Sequence, residues 1–203
     1  MKDDNHLIEE PILAYDQLDV NKVYTYLDYM KWRFEERVEL IRGKIVKMSP
    51  APNRKHQKLL VNLNSLFINR FKQDSCDWYP APFDVRLQVP KGSKPITVVQ
   101  PDICLICDAS KLDEQGCDGS PDLMVEILSP SNQQHDLTVK FQLYEEASVP
   151  DYWIVDPANR VVLQYSLING KYVGNKPLTE GSTLVSTRIP DFKVGINRTQ
   201  VKM

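Results

Sequence analysis

The chain has 203 residues, of which 42% are hydrophobic and 26% charged. A chain of this length forms one domain with a sizeable core, and this composition is typical of an ordinary globular protein. Its net charge of -2 and pI near 5.9 lack the basic excess of constitutive nucleic-acid binders, which counts mildly against that class of protein.

The first third of the chain predicts an arm, a short helix, a hairpin and a long helix. Residues 1–22 are polar and irregular and are expected to form an N-terminal arm. Apolar spacing in residues 23–32 indicates a short amphipathic helix, and residues 38–48 have the pattern of a hairpin with a glycine at its turn. Residues 53–71 then predict a helix that begins at an asparagine cap and carries an apolar stripe.

The remainder predicts mostly strands with one further helix. Strand patterns occupy residues 77–79, 83–89, 97–107, 122–128, 152–156, 160–166 and 171–173. A polar loop is expected at residues 108–120, and a helix at residues 133–147. These elements predict an α/β (α+β) domain over residues 23–175, with a central mixed β-sheet flanked by helices. Residues 176–203 are expected to be a C-terminal extension packed on the same domain.

The four cysteines do not form a convincing metal or disulfide pattern. Cys104 and Cys107 have the spacing of a zinc ligand pair, but residues three apart on a strand point to opposite faces. We therefore expect Cys76, Cys104, Cys107 and Cys117 to be buried or surface thiols. The chain shows no secretory signal and no transmembrane run, so a reduced cytoplasm is the expected location.

Two predicted strands each carry an acid where an aliphatic residue would be expected. Alternation places Asp102 on one face of its strand, and Glu126 shares a face of the second strand with Met124. If the two strands are neighbours, Asp102 and Glu126 converge on one point. Adjacent carboxylates repel each other unless a cation lies between them, and Mg²⁺ or Mn²⁺ would satisfy that condition.

Such a metal site is suited to phosphodiester hydrolysis, because the metal polarises the phosphoryl group and activates a water molecule. Lys140, in the predicted helix that follows, would add a fixed positive charge to orient that water or to stabilise the developing charge. Glu39 of the hairpin and His56 of the long helix are the remaining candidates to complete the site.

Each of these residues also has a purely structural interpretation. Asp102 follows a proline and could cap its own backbone, and Asp122 has the same context and is expected to be a turn residue. Lys140 could form a surface ion pair with Asp136 four residues earlier, and a lone histidine such as His56 often lies on a helix surface. Glu126 is hardest to explain in this way, since a buried unpaired carboxylate is unfavourable.

At these residues the chain resembles the Uma-two-type restriction-endonuclease family, a branch of the PD-(D/E)XK nuclease superfamily. The resemblance covers about Tyr24 to Tyr172. It rests on Val38-Glu39-Leu40-Ile41-Arg42-Gly43-Lys44-Ile45, Met48-Ser49-Pro50 with His56, Val99-Gln100-Pro101-Asp102, Pro121-Asp122-Leu123-Met124-Val125-Glu126-Ile127-Leu128-Ser129-Pro130-Ser131, Asp136 to Lys140, Tyr144, and Val149-Pro150-Asp151-Tyr152-Trp153-Ile154-Val155-Asp156.

The resemblance implies a restriction-endonuclease-like core with a metal-dependent phosphodiesterase site. By position, Asp102 is the motif aspartate and Glu126 the second metal-binding acid. The chain departs from the superfamily's (D/E)-x-K spacing because Leu128 stands where the lysine would be, which makes Lys140 on the following helix its replacement. Glu39 and His56 match the family pattern as supporting groups around the metal.

The sequence therefore predicts a metal-dependent endonuclease-like protein that acts on DNA. Dimerisation into a homodimer is expected from the resemblance alone. Two alternatives remain open, namely a catalytically silent member of the fold and a DNA-binding or regulatory module. The second would bind DNA without metal and with a steep salt dependence, which the acidic pI disfavours.

Overall fold

The computed structural model describes residues 11–48, 53–71, 76–89, 96–130, 132–189 and 192–196. Its helices are α1 (Tyr26–Tyr29), α2 (Arg54–Phe71), α3 (Gln133–His135), a π-helical segment (Asp136–Lys140) and α4 (Phe141–Glu146). Its strands are β1 (Val38–Ile41), β2 (Lys44–Lys47), β3 (Asp77–Pro80), β4 (Val85–Leu87), β5 (Thr97–Val99), β6 (Ile103–Ile106), β7 (Leu112–Asp113), β8 (Gly116–Asp118), β9 (Leu123–Ile127), β10 (Asp151–Asp156), β11 (Val161–Ile168), β12 (Lys171–Gly174), β13 (Thr183–Val185) and β14 (Lys193–Gly195).

The predicted mixed α+β class is confirmed, but the strands form two large sheets instead of one central sheet. The first sheet has the order β2-β1-β5-β4-β8-β7, and the second has the order β12-β11-β10-β9-β6-β3. Each contains one parallel pair, β4 with β8 in the first and β9 with β10 in the second. The strands β13 and β14 form a separate antiparallel pair.

The single strand predicted at residues 97–107 is wrong, because the chain breaks at Pro101 and changes sheets there. β5 ends at Val99 in the first sheet, and β6 begins at Ile103 in the second. Proline has no backbone N–H and cannot donate to a strand ladder, so a break at this residue is expected physically. The predicted polar loop at residues 108–120 is also wrong in part, since β7 and β8 lie within it.

The second sheet is covered on both faces, which explains why β9 is apolar throughout. On one face, Val125 packs in a cluster that includes Phe67 of α2. On the other face, Met124 packs in a cluster that includes Tyr144 of α4 and Val99 of the first sheet. A strand buried on both faces has no solvent-exposed position, so Glu126 in this strand must find its partners inside the protein.

The cysteine prediction is wrong in one respect, because Cys76 and Cys107 form a disulfide bond. The two residues are separated by 31 positions in the sequence, so no local spacing indicated the pairing. Cys104 and Cys117 are buried thiols, as expected. Burial raises the pKa of Cys104 well above its ordinary value. Cys104 of β6 packs in the core cluster on one side of the second sheet, whereas Cys107, just after β6, packs against the cluster on the other side and is held in the disulfide, which removes the zinc interpretation.

A buried carboxylate joins β10 to the segment that follows β13. Asp151 accepts hydrogen bonds from the hydroxyls of Ser166, Ser186 and Thr187 and from the backbone N–H of Thr187, at 2.6 to 3.0 Å. Phe192, farther along, lies in the core beside Trp153, with ring centroids 5.5 Å apart.

The division into an arm, a domain and an extension stays a prediction.

The substitution Asp151→Ala should destabilise the fold strongly, because it leaves buried hydroxyls without their acceptor. We expect the free energy of unfolding to fall by about 3 kcal/mol or more, measured by urea denaturation. Asp77→Ala, at an exposed position of β3, is the matched control and should change stability by less than about 0.5 kcal/mol. Equal effects of the two substitutions would contradict the role given to Asp151.

Candidate active site

The five residues predicted from sequence line one open cavity of about 510 Å³. Five parts of the fold meet there: the β1–β2 hairpin, the first turn of α2, the crossover between β5 and β6, the end of β9 and the π-helical segment. The predicted residues in its wall are Glu39, His56, Asp102, Glu126 and Lys140. They come from elements that are far apart in sequence, so the cavity exists only in the folded chain.

Asp102 and Glu126 lie beside each other because β6 and β9 are antiparallel neighbours. The register pairs Ile103 with Val125, and its continuation by one residue brings Asp102 level with Glu126. Asp102 Oδ2 accepts a hydrogen bond of 2.7 Å from the backbone N–H of Ile127. Asp102 thus lies at the crossover between the sheets, with its carboxylate held against the end of β9.

Asp122, by contrast, has a structural role, as the sequence suggested. It is not a self-capping turn residue, however, because its Oδ2 accepts a hydrogen bond of 2.8 Å from the backbone N–H of Cys107 at the end of β6. Arg188 Nε lies 3.3 Å from Asp122 Oδ1. The carboxylate of Asp122 does not line the cavity.

The ammonium of Lys140 is enclosed by acids. Lys140 Nζ lies 2.9 Å from Glu126 Oε1, 3.0 Å from Glu39 Oε1 and 3.8 Å from Asp136 Oδ1. The side chain of Lys140 is only 5% exposed, so the interpretation of a surface ion pair with Asp136 is wrong. A lysine at this depth is stable in its charged form only because carboxylates surround it.

A π-helical segment carries both Asp136 and Lys140 at the cavity wall. A π-helix closes i→i+5 hydrogen bonds and so turns more slowly than an α-helix. Asp136 and Lys140 delimit this segment and are both buried. Continuous helix was expected over these residues, and the wider turn was not visible in the sequence pattern. Such segments are frequent at functional sites.

Glu39 and Glu126 each have a further partner that fixes the carboxylate. Glu39 Oε1 accepts a hydrogen bond of 3.0 Å from the backbone N–H of Gln100, which lies at the crossover between the sheets. Glu126 Oε1 accepts one of 2.7 Å from the hydroxyl of Tyr144 on α4. Both acids are therefore held in place on rigid elements of the fold.

His56 is positioned by the helix cap that the sequence predicted. Asn53 Oδ1 accepts from the backbone N–H of His56 at 3.0 Å, which starts α2 at this point. The Nε2 atom of His56 then lies 3.2 Å from Asp102 Oδ2. Burial alone would lower the pKa of His56, but the hydrogen bond and charge of Asp102 raise it above its ordinary value.

Sequence reasoning missed two groups of this cavity, His135 and Asp136. His135 Nε2 lies 3.8 Å from Glu39 Oε2, and burial together with the charge of Lys140 lowers the pKa of His135. The two histidines thus differ, since His56 favours the charged form and His135 the neutral form. The i, i+4 spacing of Asp136 and Lys140 was the available signal, but it is equally common on exposed helix faces.

Acids outnumber permanent cations in the wall of the cavity. Four carboxylates, those of Glu39, Asp102, Glu126 and Asp136, line it together with three permanent cations, Arg37, Lys47 and Lys140. Burial raises the pKa of Asp136 to about 7 and that of Glu126 well above its ordinary value, although Lys140 opposes both shifts. Burial would lower the pKa of Lys140, but Glu126, Glu39 and Asp136 raise it well above its ordinary value. Lys140 therefore keeps its proton, and its single positive charge is shared among Glu39, Glu126 and Asp136.

The donors of this wall fit a hard divalent cation chemically. Asp136 Oδ2 is buried and has no hydrogen-bond partner among the described residues. Within the same residues, no three or more His, Cys, Asp and Glu side chains are arranged so that they could hold a metal ion. Mg²⁺ needs less, because it binds through one or two carboxylates and keeps several waters. Asp102 and Glu126 are compatible with a site of that kind.

The comparison with family models identifies the chain. The model described as "Uma2: Putative restriction endonuclease" matches residues 26–197, which is most of the sequence. The chain belongs to the Uma2 family. In the part of the chain that the structure describes, no helix is long and apolar enough to cross a membrane.

Two relatives of this Uma2 chain add to the comparison. An uncharacterised protein of Synechocystis sp. is 28% identical over 131 residues, which span 63% of this chain and 66% of that protein. The crystal structure of a "putative nuclease belonging to DUF820" from Anabaena variabilis superposes with a TM-score of 0.65 at 19% identity. That match covers 87% of this chain and 96% of the Anabaena chain. The Uma2 chain therefore has the restriction-endonuclease-like fold.

The substitution Asp136→Asn should reduce the pH dependence of stability. In the fold the pKa of Asp136 is about 7, whereas an unfolded aspartate titrates near about 3.9. The folded state therefore keeps a proton that the unfolded state has released, and this stabilisation, present at low pH, is lost as the pH rises towards about 7. Without divalent metal, the fall in melting temperature from about pH 5 to about pH 8 should be smaller in the variant.

Asp118→Asn, which changes an exposed carboxyl, is the matched control and should leave the pH dependence unchanged. An equally large fall in melting temperature for the Asp136→Asn variant and the unsubstituted protein would contradict a buried, protonated Asp136.

Proposed function

We propose that this Uma2 protein is a Mg²⁺- or Mn²⁺-dependent endonuclease that hydrolyses phosphodiester bonds in DNA. The observation that carries the proposal is the Lys140 ammonium, buried among Glu39, Glu126 and Asp136 beside Asp102 in one open cavity. Membership of a family described as restriction endonucleases supports a nuclease. The charged cluster lies at a concave site, as expected for a functional centre.

Asp102 and Glu126 are the residues that would hold the metal. When bound, such a cation polarises the phosphoryl group and makes water a stronger nucleophile at neutral pH. Both carboxylates are oriented by other groups, Asp102 by His56 and the Ile127 N–H, and Glu126 by Tyr144 and Lys140. The protein thus contributes carboxylates that do not have to reorganise when a cation binds.

Lys140 acts in this proposal as a fixed charge and not as a base. The surrounding acids raise the pKa of Lys140 well above its ordinary value, so the side chain does not release its proton near neutral pH. A preorganised ammonium can donate hydrogen bonds to the attacking water or to a phosphoryl oxygen as negative charge develops there. Glu39 holds that ammonium from the side of the first sheet.

His56 is a positioning residue for Asp102. Its Nε2 atom shares Asp102 Oδ2 with the Ile127 backbone N–H, so Oδ1 is the carboxylate oxygen that remains for other ligands. His56 and the Ile127 backbone N–H thus determine that Oδ1 faces such a ligand. We further propose that DNA is the substrate and that the protein works as a homodimer, both expected from the family, and that its location is cytoplasmic, as expected from the sequence.

Cleavage of supercoiled plasmid and of single-stranded DNA, with Mg²⁺, Mn²⁺ or EDTA, tests the proposed function. We expect metal-dependent cleavage that falls by about a hundred-fold or more in Asp102→Ala and Lys140→Ala, since each substitution removes a group that stabilises the transition state. Asp77→Ala and Lys176→Ala, both at exposed positions, are the matched controls and should cleave normally. Activity that survives both site substitutions would refute these roles.

Metal binding separates an inactive relative from an active one. Isothermal titration of the unsubstituted protein with Mg²⁺ or Mn²⁺ should detect a site that Glu126→Ala removes. Absence of that site, together with absence of cleavage, would favour the catalytically silent alternative.

A further inference from the structure

A second cleft of about 410 Å³ adjoins the candidate active site. Arg37 and Gln100 line both cavities. Arg37 Nη2 donates a hydrogen bond of 2.8 Å to Gln100 Oε1, so the two side chains form a common wall. A polymer bound with one phosphate at the candidate active site would therefore pass this second cleft.

The wall of the second cleft is rich in aromatic rings. Four of its residues are aromatic, namely Tyr26, Tyr29, Trp32 and Phe34. The rings of Tyr26 and Tyr29 are stacked, as are those of Trp32 and Phe34, with centroids 6.1 and 5.8 Å apart. Tyr26, Tyr29 and Phe34 are only half-buried. Partly exposed aromatic side chains are the groups on which single-stranded nucleic acids stack their bases.

Two buried donors in this wall lack an acceptor among the described residues. Trp32 Nε1 and Arg37 Nε are buried and without a hydrogen-bond partner in the ranges that the structure describes. Leaving a buried donor unpaired is unfavourable, so such groups are rare in folded proteins unless a ligand or water completes them. A bound base could supply such an acceptor only where a small shift of the side chain opens the donor to the cleft.

A polar group of side chains forms one edge of the same cleft. Asp84 Oδ1 accepts hydrogen bonds from Gln100 Nε2 at 2.8 Å and from the Tyr29 hydroxyl at 3.3 Å. A carboxylate, an amide and a phenol at the edge of a stacking surface offer both donors and acceptors to the edge of a base. This edge and the rings together resemble the polar and flat components that base recognition needs.

The charges of the cleft favour a neutral group over a phosphate. Arg33 and Arg37 are balanced by Glu35, Glu36 and Asp84. A phosphate-binding surface would carry a clear cationic excess. The occupant best suited to this wall is therefore flat, uncharged and rich in hydrogen-bonding groups.

We propose that the second cleft binds an unstacked nucleobase close to the scissile phosphate. The preferred substrate then contains a single-stranded or easily opened stretch, because a base inside a duplex cannot reach the aromatic wall. This inference rests on the proposed function and specifies its substrate class. Contacts with the phosphates of the nucleic acid contribute little at this cleft, so binding there depends on base stacking more than on ion pairing.

Binding measured without metal tests the cleft separately from cleavage. The probe is a fluorescein-labelled single-stranded oligodeoxyribonucleotide, compared with its duplex by fluorescence anisotropy in EDTA. We expect the single strand to bind at least about ten-fold more tightly than the duplex, and Phe34→Leu to weaken single-strand binding by about ten-fold. Phe141→Leu is the matched control, since Phe141 is also half-buried between two rings but lies outside the cleft.

Photocrosslinking of the unsubstituted protein does not depend on the folding of any variant. A single strand containing 5-bromouracil should form its adducts within residues 26–37, as mapped by mass spectrometry of tryptic peptides. Adducts only elsewhere, or unchanged binding by Phe34→Leu, would overturn the proposal. A change of oligomeric state in Phe34→Leu without a change in binding would identify a second copy as the occupant and would also overturn it.

The outcomes separate this inference from the proposed function. If binding depends on Phe34 but no DNA is cleaved in Mg²⁺, the base-binding cleft is supported and the proposed nuclease activity is refuted. If duplex and single strands are cleaved at equal rates and Phe34→Leu has no effect, the nuclease activity is supported and the base-binding cleft is refuted.

Discussion

The arrangement of the site depends on the burial of one ammonium group. Lys140 is almost inaccessible, and its charge is stable there only because Glu39, Glu126 and Asp136 lie around it. These three acids come from the first sheet, the second sheet and the π-helical segment. The ion cluster therefore joins the two sheets and the helical segment at one point. Removal of Lys140 would leave the buried acids without their cation, which makes the cluster a structural requirement as well as a candidate catalytic one.

The crossover at Gln100-Pro101-Asp102 connects this cluster to the rest of the cavity. Its backbone N–H at Gln100 donates to Glu39, and its carboxylate at Asp102 lies level with Glu126. The side chain of Gln100 also reaches the second cleft, where its amide contacts Asp84. The crossover at the proline break thus contributes Gln100 to the wall that the two cavities share. Strain or mobility is not needed for this arrangement, because hydrogen bonds hold both sides of the crossover.

The acidic balance of the whole chain is consistent with the site. A net charge of -2 counts mildly against a DNA-directed enzyme, but several of the acids are gathered in the cavity and do not form a repulsive surface. Burial, together with the neighbouring carboxylates, raises the pKa values of Glu126 and Asp136, and a bound divalent cation would relieve the repulsion between the acids. At the second cleft the charges nearly cancel, which suits contact with bases. Affinity for nucleic acid would then come from the metal and from stacking more than from a basic patch.

The sequence by itself determined the fold class, most element positions and five of the side chains that line the cavity, because these follow from local periodicity, caps and the misfit of an acid in an apolar strand. Glu126 was identifiable because it interrupts a run of aliphatic residues in β9, and Asn53 predicted the start of the helix that carries His56. Only the tertiary structure decided that residues 97–107 divide between two sheets, that Cys76 pairs with Cys107, and that Asp136 and His135 face the cavity. These features depend on contacts between segments far apart in the chain, and on a helical turn whose width no local pattern records.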